Sequence, residues 1–456
     1  MDFQTLLIQA EIIANEIKSL DQVIQIAYNK DADSIVASCI FARCFFDMEM
    51  PCTLFALDNS LDQLSRRNTN PTIVIGMDIK LITNFTPKNK LFLFIRDRED
   101  YTDNEYIKII DYSSFGYNDR NANLSCLAYF VCSVFAPNLE YIITMPLLSL
   151  HSQHLYSDYE GLFEIISEDA LEGEVIKVTK SMSLLGSSLF SISEILEYST
   201  NPFFPGLSCN SKSLLKTLSK TSINLEAKDG IRHINSLQEE EVKELNSLLI
   251  LNQASNRSHL EEEFIFIKSK TIFKAESKVS ILYNSWDFGV AVQDAINRER
   301  YNLIIKVLLG NRSKNLIDLQ KMFIQERKAI SLSMQIISER LEEIIELKNM
   351  RYYIGDNKVS WYNAKQTATT CLANGLVTSD LPFAIAAPYK SNIMSIGLKA
   401  SKNHEIGNIK EICEDVVNQR KISTVISGGK YSAQFTIPKE ELEGILLDIN
   451  SKLKGE

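Results

Sequence analysis

Five short, largely apolar runs near the start of the chain set the tightest limit on what it can fold into: VIQIAY (23–28), TLFAL (53–57), TIVIGM (72–77), LFLFI (91–95) and YIKII (106–110). Each is short for a buried helix and apolar on most of its successive positions, which suits a strand covered on both faces. Several stop at an acid, namely Asp58, Asp78 and Asp111. With helices or loops between them, such strands make an α/β, doubly wound parallel sheet, which presents ligands at its carboxyl edge. The first run stops in the loop NKDADS and reopens as the helix-like SIVASCIFARCFF, so chemistry, or its remnant, is expected there. Asp31 and Asp33 flank Ala32, and two carboxylates so placed can converge on one hard cation. An acid pair after a strand is more often a solvated turn or a helix cap. Residues 3–20, with Phe3, Leu6, Leu7, Ala10, Ile13 and Ile17 at helical spacing, read as a helix over one face of the sheet.

The loop resembles the first motif of the DHH phosphoesterase superfamily, H-x-D-x-D-G, whose His and Asp residues ligate manganese. Asp31 and Asp33 match it, Asn29 stands for the histidine and Ser34 for the glycine. Asp78 fits the second motif, an aspartate at a strand end. At the third, the D-H-H signature, the chain reads Arg96-Asp97-Arg98-Glu99, and both histidines are gone. The helix before the fourth motif is recognisable in 121–135, but the following ITMPLLSLHSQH (143–154) has no acid, and its His151 and His154 read as surface or loop residues. Further on, NPFFPGLSCN (201–210) resembles the PGLTGN-like turn of archaeal RecJ-like proteins, which belong to this superfamily. Physically it is a Pro-Gly turn before a helix. Residues 286–313 resemble the family's apolar helix, Arg-bearing turn and Leu-Gly ending. Near the C-terminus, VISGGKYSAQFTIP resembles the G-G-G-H-x-x-A-A-G segment of the DHH-associated domain, with Lys430 for the histidine and Gln434 for a glycine. Gly428, Gly429 and Lys430 are therefore candidate nucleic-acid-binding residues, although a G-G hairpin turn fits the same letters.

The resemblance implies a DHH-type parallel-sheet domain (1–160), a helical middle region completing the N-terminal lobe (161–313), a long bridging helix (314–349) and a C-terminal DHH-associated α/β domain (350–456). Residues 314–347 lack Gly and Pro and keep helical spacing, which suits one long helix or a broken pair; a coiled coil is the weaker alternative, because the repeat is irregular. A two-metal phosphodiesterase needs several anionic or imidazole ligands to generate its hydroxide. Here the residues in those places, Asn29, Asp31, Asp33, Asp78 and Asp97, look like a vestigial site. Lys30, Lys80, Arg96 and Arg98 stand beside the acids, an arrangement suited to an ion-pair cluster without metal. Inactive RecJ-like proteins serve as counterparts of the C subunit of the CMG replicative helicase, joining GINS to the MCM ring. The resemblance thus implies a non-catalytic subunit of the archaeal replicative helicase assembly, with GINS and MCM as partners. Two alternatives stay open: a manganese-dependent single-strand exonuclease or phosphoesterase using Asp31, Asp33 and Asp78, and a non-hydrolytic single-stranded DNA binder using Lys430.

The formal charge of −10 argues against coating nucleic acid through bulk charge, and any DNA contact is expected to be local or shared with a partner. The eight cysteines form no C-x-x-C pair, which suits buried free thiols in a reducing compartment. No run approaches the roughly 18 apolar residues of a membrane span, and the N-terminus carries acids where a basic leader would be, so a cytoplasmic protein is expected.

Overall fold

The computed structural model of the chain describes residues 2–57, 61–79, 85–96, 103–136, 138–153, 158–227, 230–256, 267–401 and 407–453. Within them the five apolar runs form strands β1 (Ile24–Tyr28), β2 (Cys52–Ala56), β3 (Thr72–Ile75), β4 (Leu91–Ile95) and β5 (Ile107–Asp111). They pair in parallel in the order β2-β1-β3-β4-β5. Every residue of β3 and β4 is buried, as their unbroken apolar sequences require. One face of the sheet packs Ala27, Val74, Leu93 and Ile109 with Phe55 and Leu64. On the other, Phe94 meets Phe41 edge-on at 4.9 Å, placing the small-residue helix α2 (Ala32–Asp47) there. Helix α1 (Phe3–Lys18) buries Leu6, Ala10, Ile13 and Ile17, and Phe3 meets Phe130 at 5.4 Å. Helix α3 is Leu61–Arg67, and α4 (Leu124–Ser133) packs on α2.

Residues 144–153 are not a loop. They form helix α5 (Thr144–Gln153), and its His151 is 3% exposed, with Nε2 3.3 Å from the Tyr159 hydroxyl. A surface position for His151 is therefore corrected: the apolar residues around it (Leu147, Leu148, Leu150) turn this helix inward. Helix Ser285–Asn297 lies close against it at Gly289, where a Cβ would come within 2.8 Å of the His151 carbonyl carbon. His154 lies outside the described residues.

By internal contacts the chain divides into two units, Met1–Ser181 with Lys268–Phe323 and Met182–Ile267 with Ile324–Glu456. The boundary at Phe323 falls inside the helix Lys314–Ser338. That helix ends well before residue 347, because Ile345–Glu346 instead pairs as an edge strand with Arg351–Tyr352. The second unit is built on a six-stranded mixed sheet in the order Ile345–Glu346, Arg351–Ile354, Phe383–Lys390, Ile393–Lys399, Ser432–Pro438 and Ser427–Gly429. Helices Ile409–Gln419 and Leu442–Lys452 cover one face through Cys413, Val416, Ile445 and Ile449. On the other face, helix Ala364–Ala373 and the second half of Lys314–Ser338 pack Ala368, Cys371, Ile330 and Met334 against Phe383 and Ile385. The Pro-Gly turn belongs to this core. Phe203 is fully buried in it, its N–H donating to Asn374 Oδ1 at 2.7 Å. Among the described residues no helix is long and apolar enough to cross a membrane.

Candidate functional site

In a sheet ordered β2-β1-β3-β4-β5 the chain leaves β1 and β3 in opposite senses, and the crevice at their carboxyl ends is where such folds bind ligands. Asn29, just past β1, bridges that crevice. Its backbone N–H donates to Ile75 O at 3.0 Å, its Nδ2 to Gly76 O at 3.3 Å, and its Oδ1 accepts from Lys30 N at 2.8 Å. Gly76 holds φ +77°, and a Cβ there would lie 2.0 Å from Ser34 Oγ, so only glycine lets the first turn of α2 sit on the loop after β3.

Asp31 caps α2, accepting from Ser34 N at 3.0 Å and Ser34 Oγ at 2.9 Å. Its other contact crosses the sheet, with Arg96 Nη2 at the end of β4 lying 3.4 Å from Asp31 Oδ1. Asp33, in the first turn of α2, is 1% exposed. Its Oδ2 accepts from Leu124 N at 2.8 Å, and its Oδ1 from Ser125 N at 3.0 Å and Ser149 Oγ at 3.2 Å. The carboxyl group thus sits on the N-terminus of α4, where free N–H groups and the helix dipole favour an anion. Burial nevertheless pushes it up to about 6, with the Asp31 charge acting in the same direction and Arg96 and the two N–H groups opposing. Asn123, the N-cap of α4, completes the network: its Oδ1 accepts from Cys126 N at 3.1 Å and its Nδ2 donates to Ser149 Oγ at 3.0 Å. Beside Arg96, the Tyr112 hydroxyl donates to Asp119, and burial together with that bond raises the phenol's pKa. Asp111, the acid that ends β5, is buried and serves as a turn cap, accepting from Ser114 N at 2.7 Å and from the hydroxyls of Ser113 and Ser114, each at 2.8 Å.

The fold therefore brings Asn29, Asp31 and Asp33 to one edge, with Asp78 exposed three residues beyond the end of β3. Among the described residues Asp31 pairs with Arg96, from a different strand; Asp97, Lys80 and Arg98 lie outside the described residues. Among the described residues the donor set does not fit a divalent metal. Asp33 has both oxygens committed to N–H and O–H donors, Asp31 is shared between a helix cap and a guanidinium, and Asn29 spans two strands. Among the described residues no group of three or more His, Cys, Asp or Glu could hold a metal ion. Asn123 carried a legible signal, an N-cap asparagine before an apolar helix. Ser149, Tyr112 and Asp119 carried none.

In the second unit, Gly428 and Gly429 are strand residues, paired with Ala433 and Ser432, and the chain turns at Lys430 and Tyr431. Gly428 has φ +142°, and a Cβ would come 2.1 Å from the Ser432 carbonyl oxygen, so the hairpin itself demands this glycine. Lys430 Nζ lies 5.4 Å from the Tyr431 ring centre. A group that sequence patterns did not mark stands on the same unit. The rings of Trp361 and Tyr389 are 4.2 Å apart, Lys390 Nζ is 4.8 Å from the Tyr389 ring, and Gln434 Nε2 donates to the backbone of Trp361 and Tyr362 at 3.3 and 3.1 Å.

No family model matches the chain, and no curated protein matches it. Solved structures do. The parallel five-stranded sheet and the second mixed sheet are the architecture of RecJ-like DHH proteins. Exonuclease RecJ bound to manganese superposes with a TM-score of 0.52 at 9% identity over 98% of this chain and 93% of that one. RecJ from Thermus thermophilus in complex with Mn2+ gives 0.51 at 8% identity over 98% of this chain and 54% of the other. The chain is also similar in fold to CDC45 from Entamoeba histolytica, with a TM-score of 0.70 at 12% identity and 99% of each chain covered. At these identities the shared property is the fold.

Proposed function

We propose that this chain is a non-catalytic RecJ-like subunit of a replicative helicase assembly, binding GINS and supporting MCM in DNA unwinding. The observation that carries the reading is the end-to-end correspondence with CDC45, which leaves almost no part of either chain unmatched. The carboxyl edge supports it, since the acids that a RecJ-type enzyme would turn toward metal are here taken up by a helix N-terminus, a cap and a guanidinium. A fold kept whole around such a site has a use for its surface other than turnover. The net charge of −10 favours reaching the fork through partners over coating DNA alone. The test is size-exclusion co-elution with GINS from the same organism, followed by MCM unwinding with and without this chain. Co-elution that survives moderate salt and faster unwinding are expected; separate elution at micromolar concentrations with unchanged unwinding removes the reading.

A second reading, binding of single-stranded DNA without hydrolysis, is favoured by one observation. The Trp361–Tyr389 pair with Lys390 beside it offers an aromatic face and a cation, the combination on which unpaired bases stack. Salt-sensitive strand binding by the isolated chain, lost in Trp361→Ala, would select it.

A further inference from the structure

Arg96 stands at the end of β4 in the midst of acids. Its guanidinium reaches Asp31 at 3.4 Å, and the charges of Asp31, Asp33 and Asp119 and the Tyr112 phenol all act on it. Asp31 and Asp33 repel each other across one residue of α2, and Asp33 has left water altogether. An edge of this composition needs a counter-charge. In a metalloenzyme of the same fold an ion brings it, and RecJ has been solved with manganese. Here the carboxylates are oriented by donors that leave no convergent set of free lone pairs, whereas a planar guanidinium with five N–H donors can face several acceptors at once.

We propose that Arg96 is the resident cation of this edge, supplying as part of the chain the positive charge that Asp31, Asp33 and Asp119 require, so that the edge neither needs nor admits a divalent ion. The inference rests on the non-hydrolytic half of the proposed function and is independent of the docking half. It separates two roles for the arginine. As a charge it is replaceable by lysine and, once deleted, by an outside cation or by removal of an acid. As packing it is replaceable by an unbranched apolar chain.

The experiment is thermal unfolding at neutral pH and low ionic strength, where screening of a half-exposed pair is least, in chelator and in millimolar manganese. Wild type and Arg96→Lys are expected to melt at the same temperature in both. Arg96→Met is expected to melt a few degrees lower in chelator and to recover part of that loss in manganese. The double variant Asp31→Asn with Arg96→Met is expected to recover without manganese. A wild type that manganese stabilises as much as Arg96→Met overturns the inference, because the edge then admits an ion with the arginine in place. So does an Arg96→Met protein as stable as wild type in chelator. Should Arg96→Met fail to fold, or fail to respond to manganese, the double variant decides: recovery supports the charge role, and no recovery overturns it. Failure to bind GINS would leave this result untouched, and hydrolysis of DNA is read in a separate assay.

Discussion

Asp33 shows how a residue type can persist while its chemistry changes. An aspartate on the first turn of a helix after a strand has the right type and spacing for a metal ligand, yet its three short hydrogen bonds make it the anchor of α4 on α2. Replacing it with alanine strands two backbone N–H groups and a hydroxyl in a dry site, and a loss of about 1–3 kcal/mol is expected. The pH dependence has a definite sign. The folded carboxyl titrates at about 6 and the unfolded one near 3.8. Between those values only the folded protein holds the proton, so the contribution of Asp33 to stability is greatest below pH 4, falls as pH rises toward 6, and is flat above. The full span is about 3 kcal/mol at 1.36 kcal/mol per pKa unit. Asp33→Ala should abolish this slope, so that its deficit relative to wild type narrows as pH rises; urea unfolding at pH 4.5 and 7 measures both effects. A deficit that does not change with pH would put the buried carboxyl at an ordinary pKa.

At the scale of elements, two contacts hold the second unit in register. Gly397 lies under the first turn of helix Ala364–Ala373, where a Cβ would meet Lys365 N at 2.0 Å and Ala364 C at 2.3 Å. Both are backbone atoms, so no side chain can swing away. Gly397→Ala should cost on the order of 3 kcal/mol, read as a lower urea midpoint, because the helix must lift off the sheet. Asn374, at the other end of that helix, holds the Pro-Gly turn with two hydrogen bonds, from Phe203 N at 2.7 Å and to Thr200 O at 2.9 Å, and is itself fixed by a third to Thr370 O of the helix at 2.8 Å. Asn374→Ala leaves a buried donor and two acceptors without that partner and should lose about 2–3 kcal/mol. Its sharper signature is local: proteolytic cleavage within 199–209 should appear before cleavage elsewhere, and a uniform pattern would show that the turn is held by Phe203 packing alone.

For the whole molecule, the expectation concerns turnover. Labelled single-stranded DNA incubated with the protein and manganese should remain intact, because hydrolysis needs a metal-bound hydroxide and the carboxyl edge lacks a free ligand set among the described residues. Release of mononucleotides that Asp31→Ala abolishes would restore the exonuclease reading. Trace release unaffected by that substitution would mark a contaminant.

How much of this was legible in the letters can be judged strand by strand. The runs TIVI and LFLFI could be little other than buried parallel strands, since a chain apolar on successive residues has no face to give to water, and both form within a residue or two of their sequence limits. The same local logic marked α1, the helix from Lys314 and the C-terminal hairpin, because periodicity and turn residues act over a few positions. The sequence also marked Asn29, Asp31 and Asp33 as one site, since they are neighbours in the chain. Arg96 was marked among the bases suited to pair with these acids, but which acid it meets was not, and Leu124 and Ser149 were not marked at all. Arg96, Leu124 and Ser149 reach them across the sheet and the helix layer, and whether Asp31 would take a metal, a cap or an arginine depended on which side chains packing brought within 3.5 Å. His151, a loop residue by its letters, was turned inward by a helix whose apolar face needed burial. The stretch 182–267 entered the second unit through Phe203, whose place in a core formed largely by residues after 324 is a long-range fact that no local pattern encodes. Local patterning determined the elements, and packing between distant segments determined what their polar residues face.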